Sequence, residues 1–241
     1  MLQNNYIIPL NISIDTTEKE HFVNDRFKDF VDKFETGNLD LTHVNSNPQQ
    51  YFKNTIARVN QFLRPIDLVV YRVTMFMSSS NVIGENIHCD GIVDTNGNVA
   101  MLEARINLYE MSAGVSGIEW WDSLPNRIPQ DDGQQPWWQA PKLIPNPNGA
   151  HPFVICLPPF RHDLRSGKIS WNQVPKPDFD FEIASTGAFV RTNRPHRIVQ
   201  SGGIRVTLSM SLIFQDGRLQ GVWDHIQRNQ HLLHNDTTTN L

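Results

Sequence analysis

The chain has 241 residues, 39% of them hydrophobic and 19% charged, an ordinary globular mixture with enough apolar material for a full core in one large domain or two small ones. A formal net charge of -4 argues against a nucleic-acid partner or an anionic membrane surface found by bulk electrostatics. Two cysteines, Cys89 and Cys156, cannot build a disulfide framework, which fits a reducing compartment. The N-terminal stretch has no basic segment leading into a long apolar run, so it does not read as a signal peptide. No apolar run reaches the roughly 20 residues of a membrane helix. A soluble, cytoplasmic protein is the expectation.

Residues 6–14 predict an edge strand, because Pro9 removes a ladder donor. Asp15-Thr16-Thr17 then opens a helical pattern, with Phe22, Phe27, Phe30, Val31 and Phe34 recurring at threes and fours and Gly37 closing it. Asn47-Pro48 predicts the cap and first position of a second helix, striped by Tyr51, Phe52, Ile56, Val59, Phe62 and Leu63 and ending before Pro65. Both stripes read as core-facing. From Ile66 the pattern changes. Residues 66–77, 99–111, 153–157 and 187–214 are short, β-branched or aromatic runs separated by Gly, Pro and Asn clusters, as in an antiparallel sandwich or barrel and unlike βαβ units. Between about 119 and 148 lies a Pro/Trp/Gln-rich insertion carrying Trp120-Trp121 and Trp137-Trp138. Its length suits a functional loop, and its tryptophans speak against disorder. A lid over a binding mouth and a rim-packing or oligomer-contact loop are equal readings of it. The tail after Trp223 starts as a short helix and ends polar.

The last of the β-rich runs carries the chemistry. It predicts a strand from Gly187 to Thr192, a second strand entered at His196, a Ser201-Gly202-Gly203 turn, and a third strand over Ile204–Phe214. In the third strand Arg205, Thr207, Ser209 and Ser211 share one face, and Val206, Leu208, Met210 and Leu212 the other. A buried face with an arginine and three hydroxyls must meet something polar, and a small dianion suits it. Upstream, His88-Cys89-Asp90 in strand conformation puts His88 and Asp90 on one face about 6–7 Å apart and turns Cys89 to packing on the other. His196, from a distant strand, would complete a two-histidine, one-carboxylate set. Such a set leaves positions open on non-haem Fe(II) for a co-substrate and O2 together. The short His-x-Asp pattern is weak alone. It recurs as His234-Asn235-Asp236 in the polar tail, where solvent is the simple reading. His151 and His162, in proline-rich loops, are not ligand candidates. Context favours the first copy, between Gly84 and Gly91 in a β-rich segment. After it come a strand bearing Arg105, Asn107 and Tyr109 on one face, then His196, Gly202-Gly203 and Arg205-x-Thr207 in that order.

With these residues in this order the sequence closely resembles the Fe(II)/2-oxoglutarate-dependent oxygenases over roughly 66–214. The resemblance implies a mainly β fold with buttressing helices (α+β): a cupin-like double-stranded β-helix, or jelly roll, with N-terminal helices packed on the major sheet. One domain would span 1–241, with a helical buttress at about 15–65, a core at 66–214, a lid-like insertion at 119–148 and a tail at 223–241. It implies iron on His88, Asp90 and His196, with Arg205 and Thr207 gripping the far carboxylate of 2-oxoglutarate and Asn107 touching the inner one. Arg105, Tyr109, Arg191 and Trp120 are the candidate substrate residues, Arg105 for a substrate acid. The implied activity hydroxylates an unactivated C–H bond while 2-oxoglutarate and O2 go to succinate and CO2. Desaturation and N-dealkylation are variants, and the carboxylate ligand disfavours halogenation. The expected substrate is a small molecule such as an amino acid or natural-product intermediate, with no nucleic-acid or membrane partner. The alternatives are a peptidyl or protein hydroxylase of the same superfamily, or a cupin-like metal protein that does not use 2-oxoglutarate.

Overall fold

A computed structural model of the chain describes residues 5–22, 41–44, 48–79, 87–93, 99–111, 115–122, 142–145, 153–156, 176–184 and 186–233. Their strands form two antiparallel sheets. The first runs in the spatial order β1 (Ile7–Leu10), β11 (Gly187–Arg191), β6 (Ala104–Met111), β13 (Ile204–Phe214), β3 (Leu68–Ser79) and β2 (Leu41–Val44). The second is β10 (Phe179–Glu182), β7 (Val115–Trp120), β12 (His196–Ser201), β4 (His88–Val93), β9 (Phe153–Cys156) and β8 (Lys142–Pro145), with β5 (Val99–Met101) paired to β4. The result is a mixed α+β fold whose facing sheets are consistent with a jelly-roll core, without closure into a barrel among the described residues. β1 is an edge strand, and Pro9 stands opposite Ala188 there.

Alternation sorts the first sheet into two faces. Leu208, Met210 and Leu212 of β13, Ile106 and Leu108 of β6, Val73 and Met75 of β3 and Phe189 of β11 all belong to one apolar cluster. Helices cover that face. α1 (Thr16–Phe22), α2 (Pro48–Tyr51) and α3 (Lys53–Leu63) come from the N-terminal part and α4 (Val222–Leu233) from the C-terminal part. Phe52, Val59 and Leu63 meet Val222, Trp223, Ile226 and Leu233 in the same cluster. A second cluster fills one flank of the space between the sheets. It joins Ile7, Tyr109, Ala188 and Val190 of the first sheet to Ile118 and Trp120 of the second, with Tyr6 and Ile183 at its margin.

Several expectations are corrected in extent. The helix predicted from Asn47 to Pro65 breaks at Phe52, whose backbone leaves the helical region at φ -114°. It resumes as α3 and tightens into a 3-10 turn over Arg64–Ile66 that accommodates Pro65. Phe52 offers no side-chain cap. Buried Glu18 serves instead, accepting from the Asn54 and Thr55 amides at 2.5 and 2.9 Å and from Thr55 Oγ1 at 2.7 Å. A carboxylate there satisfies orphan donors and meets the positive end of the helix. Of the first predicted helix, Thr16–Phe22 is formed, with Glu18 N bonded to Asp15 Oδ1; Phe27, Phe30, Val31, Phe34 and Gly37 lie outside the described residues. The run 99–111 is two strands because the chain changes sheets at Leu102-Glu103. There Leu102 N donates to Asp90 O, and Glu103 O accepts from Thr192 N. The supposed insertion starts late. Trp120 ends β7 fully buried and Trp121 follows it buried, while 142–145 is strand β8. Trp137-Trp138, Gly84, His151, His162 and the His234-Asn235-Asp236 copy lie outside the described residues. The C-terminal segment holds a helix of 12 residues, longer than expected, because Val222, Trp223, Ile226 and Leu233 bury one stripe. No helix among the described residues is long and apolar enough to cross a membrane.

The turn between β12 and β13 carries the chain from the second sheet to the first. Gly202 and Gly203 both take positive φ, 74° and 65°, which a side chain would resist. That turn places His196 and Arg205 on opposite walls of one interior.

Candidate metal centre

The two histidines meet because their strands do. β12 and β4 are antiparallel neighbours, and His196 stands opposite His88 in their register. Asp90, two residues along β4, projects to the same side. The ligand atoms of His88, Asp90 and His196 all lie within 4.8 Å of one another. The imidazole centroids are 4.3 Å apart, and His88 Nε2 is 3.8 Å from Asp90 Oδ1.

The proton positions follow from the partners. His196 Nδ1 lies 2.8 Å from the Arg194 carbonyl, an acceptor only, so Nδ1 carries the hydrogen and Nε2 keeps its lone pair for an ion. Burial, and then neighbouring His88, push the His196 imidazole down to about 4, which keeps it neutral near pH 7. Burial alone would raise the Asp90 carboxyl. The Arg105 guanidinium, followed by the two imidazoles, outweighs it and holds the group below its ordinary range. One ionised carboxylate and two imidazoles converging on one point suit a divalent transition metal with open positions. Cys89 points away, and burial raises its thiol to about 12, so it packs and does not ligate.

Facing the triad is the second face of the first sheet. Along β13 and β6, Arg205 is paired with Met111, Thr207 with Tyr109, Ser209 with Asn107 and Ser211 with Arg105. All four β13 residues are buried, as are Arg105, Asn107 and Tyr109. At one end Arg105 Nε donates to Asp90 Oδ2 at 2.5 Å and Nη1 to Ser209 Oγ at 3.2 Å; Ser209 in turn donates to Asn107 Oδ1 at 2.7 Å. At the other end Arg205 donates from Nε to Thr207 Oγ1 at 2.8 Å and from Nη1 to Ser116 Oγ of β7 at 2.7 Å. Its guanidinium carbon is 5.9 Å from the centre of the Tyr109 ring. Same-face residues on a strand are about 6.6 Å apart, so two rows of hydroxyl, amide and phenol side chains separate the two guanidinium groups.

The remaining candidates sit elsewhere. Trp120 is packed against both Tyr6 and Phe179, with ring centres 5.7 and 5.9 Å away, and its indole donates to the Arg191 carbonyl at 3.0 Å. Arg191 shares the parity of Phe189, on the helix-covered side of β11. It bonds Asn193 Oδ1 at 3.0 Å and lies 5.9 Å from the Trp223 ring, so the structure does not bring it to the triad. Sequence reasoning missed Ser116, for which a lone serine in a strand gives no signal. It placed Arg105 on the right face, but nothing in the sequence says that Arg105 turns to Asp90.

No family model and no curated protein matches this chain. Among solved structures, one described as the X-ray structure of E. coli ycfD is similar at 10% identity with a TM-score of 0.34. The alignment covers 79% of this chain and 38% of that one, so this chain spans about two fifths of its length. The buried triad and the two antiparallel sheets match the facial triad and the double-stranded-β-helix-like fold of the Fe(II)/2-oxoglutarate-dependent oxygenases. The two-histidine, one-carboxylate set supports classification of the chain as an oxygenase-type enzyme of that class.

Proposed function

We propose that the chain, read as one domain, is a non-haem Fe(II) oxygenase that consumes 2-oxoglutarate and O2 and oxidises a C–H bond, with hydroxylation as the leading outcome. The observation that carries this is the convergence of His88, Asp90 and His196 within 4.8 Å, with Arg205 buried on the facing wall. The donor set fits Fe(II): two imidazoles, His196 with its Nε2 freed, and a carboxylate kept ionised. When bound there, Fe(II) supplies the O2 chemistry that couples C–H oxidation to conversion of 2-oxoglutarate into succinate and CO2.

The residues of the chain do the rest by holding and excluding. Arg205 offers a fork suited to a carboxylate, aimed by Thr207 and Ser116, so the far end of 2-oxoglutarate meets a cation that is already oriented. Asn107, buried on one of the two rows between Arg205 and Arg105, would offer its amide to the inner carboxylate. The dry walls around these groups strengthen each such contact. The test is anaerobic addition of Fe(II) with and without 2-oxoglutarate, followed by succinate release in air. A weak visible charge-transfer band that needs both additions is the expected result, and its loss in Arg205→Ala with metal binding intact ties it to this arginine. Metal binding with neither band nor succinate would put the cupin-like reading in its place.

On substrate, a peptidyl or protein side chain and a small molecule both fit this reading. A cavity among the described residues, lined by Val115, Gly117, Glu119, Asp180, Phe181 and Val199, among others, includes none of the three ligands and bears on neither substrate class. Succinate release stimulated by peptides and not by metabolites would support the first class, and the reverse the second. A cytoplasmic location is part of the same reading.

A further inference from the structure

We propose that Arg105 is a positioning residue for the metal: by occupying Oδ2 of Asp90 it makes that carboxylate a one-pronged ligand that presents Oδ1 alone. The inference rests on the metal reading of the triad and adds a role for an arginine that the sequence assigned to substrate. An aspartate carboxylate can rotate about its last bond and offer an ion one oxygen or two. Here the oxygens are already distinguished. Oδ2 receives a charge-assisted bond from Arg105 Nε at 2.5 Å, and Oδ1 is the oxygen that lies 3.8 Å from His88 Nε2. Arg105 is itself held: Nη1 donates to Ser209 Oγ, and that hydroxyl is fixed by donating to Asn107. The chain of contacts runs from β4 of the second sheet to β6 and β13 of the first. The sheet-to-sheet spacing therefore sets the orientation of Asp90.

The consequence is a count of coordination positions. Two imidazoles and one carboxylate oxygen leave three positions of an octahedral ion, enough for a chelating co-substrate and O2. A two-pronged Asp90 would leave two. Arg105 also offsets the charge of Asp90 inside a dry wall, so a bound divalent ion leaves the centre strongly positive and selective for an anionic co-substrate. A guanidinium suits this better than an ammonium because one fork can serve Asp90 and Ser209 together.

The experiment uses Co(II), which reports affinity by titration and coordination by its visible spectrum, on the whole chain. Arg105→Met keeps the bulk of the side chain and removes the fork. We expect it to weaken Co(II) binding about 10- to 100-fold and to change the spectrum. Arg105→Lys should recover part of the affinity by donating an N–H to Oδ2 without the fork. Ser209→Ala, which removes only the far anchor, should weaken binding by several-fold. Arg105→Met that folds and binds Co(II) with wild-type affinity and spectrum overturns the proposal. Should Arg105→Met fail to fold, Ser209→Ala decides it: a wild-type affinity and spectrum there overturns the proposal, and a weakened site with altered spectrum supports it. Wild-type protein that takes no Co(II) would overturn the metal reading and this one with it, an outcome distinct from equal binding by wild type and variant.

Discussion

The two faces of β13 are equally dry and chemically opposite. Leu208, Met210 and Leu212 on one side and Thr207, Ser209 and Ser211 on the other are each at most 1% exposed, and Arg205 is 2% exposed. The apolar face gains from burial at about 25 cal/mol per Å2. The polar face has only its internal hydrogen bonds to offset desolvation, and well-packed apolar residues of similar volume often do as well or better in such places. The apolar face thus accounts for folding, whereas the polar face needs a reason outside stability. Its position opposite His88, Asp90 and His196 supplies one.

That division can be broken from either side. The largest expected effect is on the metal: His196→Ala removes a ligand whose free lone pair is set by a backbone carbonyl. Metal affinity should fall by more than the roughly 100-fold typical of losing an outer partner. Titration with Mn(II) measures this, and far-UV circular dichroism should show the sheets intact. Next is a cut on the opposite face. Leu208→Ala opens a cavity beneath the helices and should cost about 2–5 kcal/mol in urea unfolding, leaving Mn(II) affinity of the folded protein within about twofold of wild type. A tenfold change in affinity in Leu208→Ala would mean that the two faces do not act separately.

How far the sequence discloses this arrangement depends on the range of the interactions involved. Period-two alternation is local, so the sorting of β13 into Arg205, Thr207, Ser209 and Ser211 against Leu208, Met210 and Leu212 could be read directly. So could the pairing of His88 with Asp90 on one face and the glycine turn at Gly202-Gly203. The pairing of β12 with β4, which brings His196 to His88, is not written locally and entered through resemblance. What stayed illegible are side-chain choices between distant partners. Arg105 bonds a carboxylate 15 residues upstream, Arg205 reaches Ser116 across 89 residues, and Glu18 caps a helix 36 residues downstream. The pattern that announced a single helix from Asn47 could not register that Glu18 supplies the carboxylate for Asn54 and Thr55. Trp120 misled for the opposite reason: composition drew it into the insertion, whereas its burial belongs to β7.

The rim where the two sheets meet offers the finest test of whether the interior is held from outside the polar face. Tyr6, just before β1, stacks on Phe179 with ring centres 5.3 Å apart and donates its hydroxyl to Asp122 Oδ1, beyond the end of β7, at 2.5 Å. Burial, and then the hydrogen bond and charge of Asp122, push this phenol up to about 12. An unfolded tyrosine titrates near 10, so the folded state disfavours loss of the proton. The stabilisation is complete below about pH 10 and disappears as pH rises through about 12. Tyr6→Phe keeps the stacking and loses the donor, so it should cost about 1.5–3 kcal/mol near neutrality, the range for a hydrogen bond to a charged group. The gap between wild type and Tyr6→Phe in urea unfolding should hold constant up to about pH 10 and close above it. A gap that persists unchanged to the alkaline limit would show that Asp122 does not hold the phenol protonated. The clamp between the sheets would then rest on the aromatic stack of Tyr6, Trp120 and Phe179 alone.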